Sequence, residues 1–430
     1  MIEQEKRKQI IALMHRQIVP AIGCTEPSAV ALCAAVAAKL LPEGTVPEKI
    51  EVRASANIIK NAMGVGIPGT GMIGLPIAVA LGALTGDPAD QLEVLSHVTP
   101  ETVKRGCKYI DEQRIRICLF PNPPAILHIE VTVTAGGHSA RAVISGSHTN
   151  VVYTEADGKV LTDKCAATDH GEACQKDIEL DMKTVFDFAT TAPIDEISFI
   201  LEARRYNKAA ADYALKQESG HCVGSTILRY GAPVFGDSVL SRVISYTSAA
   251  CDARMGGAPV AVMSNSGSGN QGITTTMPVV VYAEETGATE EQTIRALTLS
   301  HLTSIYIKQS LGCLSALCGC VVASTGASCG IVYLMGGGYP QVCSAIKDMI
   351  ANLAGMICDG AKPSCSMKIS SGVYTAMLSA MLAMNGKCVT QAEGIVCDDV
   401  DRSIHNLTSI GREAMTETDK QILEIMTHKC

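Results

Sequence analysis

Residues 313–330 read CLSALCGCVVASTGASCG and residues 352–368 read NLAGMICDGAKPSCSMK; between Cys313 and Cys365 lie seven of the chain's eighteen cysteines. From Gln309 to Ile346 no side chain carries a charge, which predicts a buried, mainly helical segment punctuated by glycine. Thiols in such a place either fill space as small apolar groups or ligate a soft metal. The last pair favours ligation. Cys358 and Cys365 bracket DGAKPS, where Gly360 and Pro363 break a helix and leave a loop able to wrap an inorganic centre.

Working outward, 430 residues predict two or three domains and a core large enough to need no staples. The opening MIEQEKRKQI is charged and has no apolar signal region, so the compartment is expected to be reducing and cytoplasmic, with free thiols. A net charge of −8 and the lack of basic runs give no electrostatic case for nucleic acid or an anionic membrane surface. Two further long segments, Asn61–Gly86 and Met255–Ala283, also lack or nearly lack charge. They are dense in Gly, Ser, Thr, Asn and Pro, and the chain has no Trp and only 4% aromatics, which fits buried enzyme segments better than membrane spans.

In chain order, residues 2–18 predict an amphipathic helix stopped near Pro20. GCTEP follows at 23–27, with Thr25 as the expected N-cap of an Ala-rich helix to Leu41. Cys24 then stands just outside a helix N-terminus, where the dipole would lower a thiol's pKa, making it a candidate base or nucleophile; the alternative is a small buried residue before a cap. Cys33 reads as core. EKIEVRASANIIK (48–60) alternates like a strand and leads to KNAMGVGIPGTG (60–71) and a helix from about Pro76 to Leu84. The spacing is neither a dinucleotide fingerprint nor a Walker loop, so no nucleotide is expected, while Asn57, Lys60 and Asn61 are candidates to line a polar site. From Arg114 to about Val160 strand-like alternation predicts a small antiparallel module, with His138 and His148 at strand ends. Past residue 200 helical periodicity resumes. The fold class is therefore α+β: a helical domain of residues 1–110 and 200–430, with an inserted β-rich module at 111–199. In the second helical part SNSGSGNQG (264–272) offers amides and hydroxyls, with Ser266, Ser268 and Asn270 as candidate substrate contacts alongside Lys60 and Asn61.

GCTEP, KNAMGVGIPGTG, SGSGNQGI (266–273), LSALCGC (314–320) and MICDGAKPSC (356–365) together resemble the L-cysteine desulfidases and their relatives of the serine dehydratase alpha-chain type, over nearly the whole chain. The resemblance implies an oxygen-sensitive [4Fe-4S] cluster and no pyridoxal phosphate. It implies cluster ligands at Cys358 and Cys365, with a third in LCGC, where Cys318 and Cys320 are both present and Cys318 suits the family spacing better. It also implies Cys24 as the base that takes the α-proton. Three thiolates on four irons leave one iron open as a Lewis acid for the leaving group. The expected reaction is β-elimination of L-cysteine to pyruvate, ammonia and hydrogen sulfide, with L-serine dehydratase as the near alternative and a non-catalytic metal-binding or membrane transport protein as the distant one. A homodimer is implied by the family. Cys430, at the chain's end, is a candidate to cap the fourth iron until substrate displaces it.

Overall fold

The computed structural model describes residues 2–125, 127–164, 178–312 and 315–428. Cys313 and Cys430, singled out in the sequence, lie outside the described residues.

The first helix, α1 (Gln4–Gln17), buries Ile10, Leu13 and Met14 on one face, as its spacing predicts. A short strand, β1 (Pro20–Ile22), leads to α2 (Thr25–Lys39), β2 (Lys49–Ala54), α3 (Ala56–Ala62), α4 (Leu75–Thr85) and α5 (Pro100–Asp111). The expected strand over 48–60 therefore ends at Ala54. Ser55, in extended conformation, is the N-cap of α3, and the apolar pair Ile58 and Ile59 is buried from a helix instead. Five more strands follow: β3 (Ile115–Leu119), β4 (His128–Ala135), β5 (His138–Ser145), β6 (Val151–Ala156) and β7 (Lys159–Asp163).

These strands and β2 form one sheet of order β3-β2-β4-β5-β6-β7. Only the β2–β3 pair is parallel, so the antiparallel module expected from the sequence becomes a mixed sheet that takes a central strand from the preceding segment. Ile50, Val52, Ile129, Val131 and Val133 point to one face, where α2 and α4 cover them and complete an apolar core. The other face is polar: Glu130 holds Arg141 at 2.7 Å and Arg53 at 3.5 Å.

The rest of the chain is helical: α6 (Met182–Thr191), α7 (Ile194–Ile197), α8 (Leu201–Lys216), α9 (Val223–Tyr230), α10 (Ala232–Phe235) and α11 (Val239–Met255). After the short strand β8 (Ala261–Met263) come α12 (Gly269–Thr286), α13 (Glu290–Leu311), α14 (Gly319–Leu334), α15 (Tyr339–Leu353), α16 (Cys365–Met384), α17 (Val400–Ser409) and α18 (Thr416–Thr427). The charge-free stretch becomes α14, buried from Cys320 to Val332 among α12, α13, α15 and α16. This helical part has its own apolar core, which α1 joins from the far end of the chain. No helix of the described residues is long and apolar enough to cross a membrane. The architecture is α+β and mainly helical.

Candidate active site

The two-stranded ribbon β1–β8 pairs Pro20 with Met263 and Ile22 with Ala261. Each strand runs within a few residues into a sequence motif: β1 into GCTEP, β8 into SNSGSGNQG. The pairing is antiparallel, so the two motifs leave from opposite ends of this short ribbon, and the bond from Ser264 N–H to the Val19 carbonyl, 2.8 Å, extends it past Pro20. The KNAMGVGIPGTG segment meets GCTEP through Asn61 Nδ2, which donates to Glu26 at 3.1 Å, and meets the end of α11 through Gly66 N–H, which donates to the Met255 carbonyl at 2.9 Å. The DGAKPS loop closes over α3 at Gly360. Its φ of +93° suits glycine, and a Cβ there would lie 2.1 Å from the Lys60 carbonyl oxygen, so no other residue fits.

A single β-bridge between Leu317 and Ile357 brings the cysteine motifs together. Cys318 N–H donates to the Met356 carbonyl at 3.0 Å and Cys358 N–H to the Ala316 carbonyl at 2.6 Å. This sets the two thiols against each other: the Cys318 thiol, against burial and aided by the Lys60 charge, draws Cys358 down to about 6, and the pKa of Cys318 is raised in turn. Cys365, at the start of α16, lies within electrostatic reach of both Cys358 and Cys24, and burial raises its thiol. Cys320 turns another way: its thiol donates to the Lys368 carbonyl at 3.2 Å and packs against Gly372 and Ser324. Among the described residues no disulfide links any cysteine, and no three His, Cys, Asp or Glu side chains converge tightly enough to hold a single metal ion.

Cys24 itself, not Thr25, is the N-cap of α2, and its side chain makes no cap bond. The expected fall in its pKa is reversed: burial, at 3% exposure, lifts the thiol to about 12, opposed by the Arg254 charge. The magnitudes explain the reversal. A helix terminus offers about 0.3–1 kcal/mol, less than one pKa unit, while full burial shifts a group by several. Beside Cys24, Glu26 accepts from Asn61 Nδ2 at 3.1 Å and from Thr25 Oγ1 at 3.3 Å. His148 faces Glu26 from the β5–β6 turn, its pKa lowered by burial, whereas His138 is exposed and pairs with Asp157 at 2.7 Å on the same hairpin's far end.

The remaining candidates separate. Lys60 is 3% exposed and pairs with Asp419 of α18, so its charge is already met. Asn57 lies at the start of α3, and among the described residues its side chain bonds none of the other candidates. Ser266 donates to Asn265 at 2.8 Å and Ser268 caps α12 by accepting from Gln271 N–H, so both hydroxyls shape the turn. Asn270 points inward and accepts from Arg254 Nη1 at 3.0 Å. Gln271 packs on Gly319, next to Cys318, with its side-chain oxygen buried and unpartnered among the described residues.

Sequence reasoning passed over Arg254. The residue is 7% exposed, and its guanidinium donates from Nε to the Gly23 carbonyl at 3.2 Å and stands between GCTEP and SGSGNQG. The available signal was a lone arginine in AACDARMGG, a run otherwise made almost wholly of small apolar residues, where only a required charge would be retained.

A family model described as serine dehydratase alpha chain matches residues 89–424. The chain is 62% identical over 430 residues to a UPF0597 protein of Bacteroides thetaiotaomicron, covering 100% of this chain and 99% of that one. It is 54% identical over 434 residues to a UPF0597 protein of Porphyromonas gingivalis and 45% identical over 439 residues to one of Chromobacterium violaceum, each time over 100% of both chains. A site built where five motifs meet, and a model match running from before β3 into the last helix, place the chain in one family: it belongs to the serine dehydratase alpha chains.

Proposed function

We propose that the protein is an iron–sulfur-dependent L-cysteine desulfidase, a carbon–sulfur lyase that converts L-cysteine to pyruvate, ammonia and hydrogen sulfide without pyridoxal phosphate. The observation that carries this reading is the backbone bridge that brings Cys318 and Cys358 together, with Cys365 and Cys24 within electrostatic reach. The donor chemistry fits a [4Fe-4S] cluster. One sulfur is held as an anion near neutral pH, two further thiols lie within electrostatic reach of it, and a cubane spreads its ligand sulfurs further apart than one ion does. Cys318, Cys358 and Cys365 would hold it, while Cys320 stays with the Lys368 carbonyl. Bound there, the cluster supplies a Lewis-acidic iron for the leaving sulfur.

The chain's own residues do the rest. Cys24 takes the α-proton onto Sγ. Its thiol must first lose a proton, and the neighbouring Arg254 charge favours that loss. Asn61 holds Glu26 in place next to it, and Asn270 projects from the α12 terminus toward the same space. The family match favours a second reading, L-serine dehydratase, in which the same residues expel a hydroxyl. We place the enzyme in the cytoplasm as a homodimer. The exposed stripe Met367, Tyr374 and Met381 along α16, at 57%, 46% and 49% exposure, supports self-association, and a monomer by light scattering would remove that part.

The test is anaerobic reconstitution, with iron and acid-labile sulfide measured beside sulfide and pyruvate release from L-cysteine and L-serine. About four irons per chain with sulfide release are expected, and Cys24→Ala should keep the iron and lose turnover. Pyruvate from L-serine alone selects the dehydratase. Iron without turnover of either amino acid leaves a metal-binding protein, and failure to retain iron ends the reading.

A further inference from the structure

Arg254 is a buried cation without an anion. Among the described residues its guanidinium meets only neutral acceptors, the Gly23 carbonyl at 3.2 Å and the Asn270 side-chain oxygen at 3.0 Å, and Nη2, which bonds neither, is open to solvent. Asp252, two residues earlier on α11, cannot serve. Positions i and i+2 of a helix face different ways, and its carboxylate instead accepts from Gly224 N–H at 2.9 Å. Glu26, the other nearby acid, is occupied by Asn61 and Thr25. Lys60, the remaining cation at this end of the site, already has Asp419. A charge largely taken out of water is costly unless paired, so an arginine at 7% exposure whose one unbonded nitrogen faces the open side is suited to an external anion.

The type of anion follows from the fork. Two parallel N–H groups match a carboxylate's two oxygens, and Arg is chosen over Lys where such bidentate recognition matters. The place follows from the neighbours: Arg254 bonds the carbonyl of Gly23, the residue before Cys24, and Asn270 holds its other side. We propose that Arg254, braced by Asn270, is the anchor for the substrate's carboxylate, so that the site takes small molecules bearing a free carboxylate next to the reacting carbon. This rests on the site reading above, and it adds Arg254 to the candidate substrate contacts, which the sequence had placed at Lys60, Asn61 and the SNSGSGNQG turn. Anchoring the carboxylate at Arg254 leaves the α-carbon beside Cys24, whose electrostatic environment Arg254 already dominates among the charges.

Two thiols isolate the contact: 3-mercaptopropionate, which has the carboxylate and no amine, and cysteamine, which has the amine and no carboxylate. Their affinities are measured by calorimetry on the anaerobically reconstituted protein, for wild type, Arg254→Gln and Asn270→Asp. Arg254→Gln should weaken 3-mercaptopropionate by about 30-fold or more and move cysteamine by about twofold at most, the loss expected for a buried charged contact. Asn270→Asp puts a carboxylate of the protein's own on the guanidinium. It should weaken 3-mercaptopropionate comparably while raising the melting temperature or leaving it unchanged. Wild type that does not bind 3-mercaptopropionate, a variant loss shared equally by both thiols, or a folded Asn270→Asp that binds as wild type would each overturn the proposal. If the contrast holds but neither amino acid is turned over, the anchor stands and the lyase reading falls.

Discussion

At the scale of single residues, burial outweighs position in the chain. Cys24 stands where a helix dipole favours a thiolate, yet its environment keeps it protonated, while Cys358, in a loop, is the acidic thiol because the Cys318 thiol and the Lys60 charge favour its anion. In cluster-free protein this orders reactivity, since only thiolates are nucleophilic. Brief treatment with iodoacetamide at pH 7, read by peptide mass spectrometry, should label Cys358 well ahead of Cys24. Cys318→Ala removes the neighbouring thiol and should slow labelling of Cys358. Equal or reversed rates would refute the assignment of Cys358 as the anionic sulfur. The identity of these sulfurs as site residues was legible from the motifs. Their protonation was not, because a thiol's pKa depends on what packs around it. Arg254 escaped notice for the same reason: its importance lies in lacking a counter-charge, and counter-charges come from distant segments.

At the scale of elements, α12 and α13 are joined by a polar cluster inside an apolar interface. His301 on α13 is fully buried, with Asn265 Nδ2 on its Nδ1 at 3.1 Å and its Nε2 2.9 Å from Thr276 Oγ1. Burial pushes this imidazole down to about 3. The folded state therefore holds it neutral, while the unfolded chain protonates it below about pH 6.5. Its contribution to stability is complete above that pH and is lost as pH falls toward 3, amounting to about 2 kcal/mol at pH 5. Urea unfolding at pH 7 and pH 5 should show that difference in wild type and about 2 kcal/mol less of it in His301→Gln; an unchanged difference would exclude His301 as its source. Asn265 opens the SNSGSGNQG turn, so this buried cluster is also what fixes the turn that presents Asn270. The sequence showed the turn and the helices. It did not show that Ser266 and Ser268 would be used up in shaping it, because a hydroxyl next to a helix start serves as a cap and as a ligand equally well until its neighbours are known.

At the scale of the whole molecule, the chain returns to its beginning. Leu423 of α18 is 6% exposed and joins the core beneath the sheet, and Asp419 one turn earlier meets Lys60 of α3. No periodicity announces such a return, and the same holds for β2, which reads as part of an N-terminal segment and is found inside the sheet. Helix positions, the strand-rich middle and the cysteine loop were legible because they depend on local pattern; which segments share a core depends on contacts that no local window contains. The Lys60–Asp419 pair tests how much of the molecule's stability depends on that return. Lys60 has 4% of its side chain exposed and Asp419 21%, so removing the carboxylate strands a buried ammonium beside Cys358. Asp419→Leu should cost about 3 kcal/mol in urea unfolding, whereas Lys60→Met combined with Asp419→Leu should recover most of it, because two apolar groups leave no charge unpaired. If the double variant is as unstable as the single one, the ammonium is not the cause and α18 is held mainly by Leu423 and its apolar neighbours. If it recovers, the pair acts to set where the last helix docks, and with it the side from which the cysteine loop is covered.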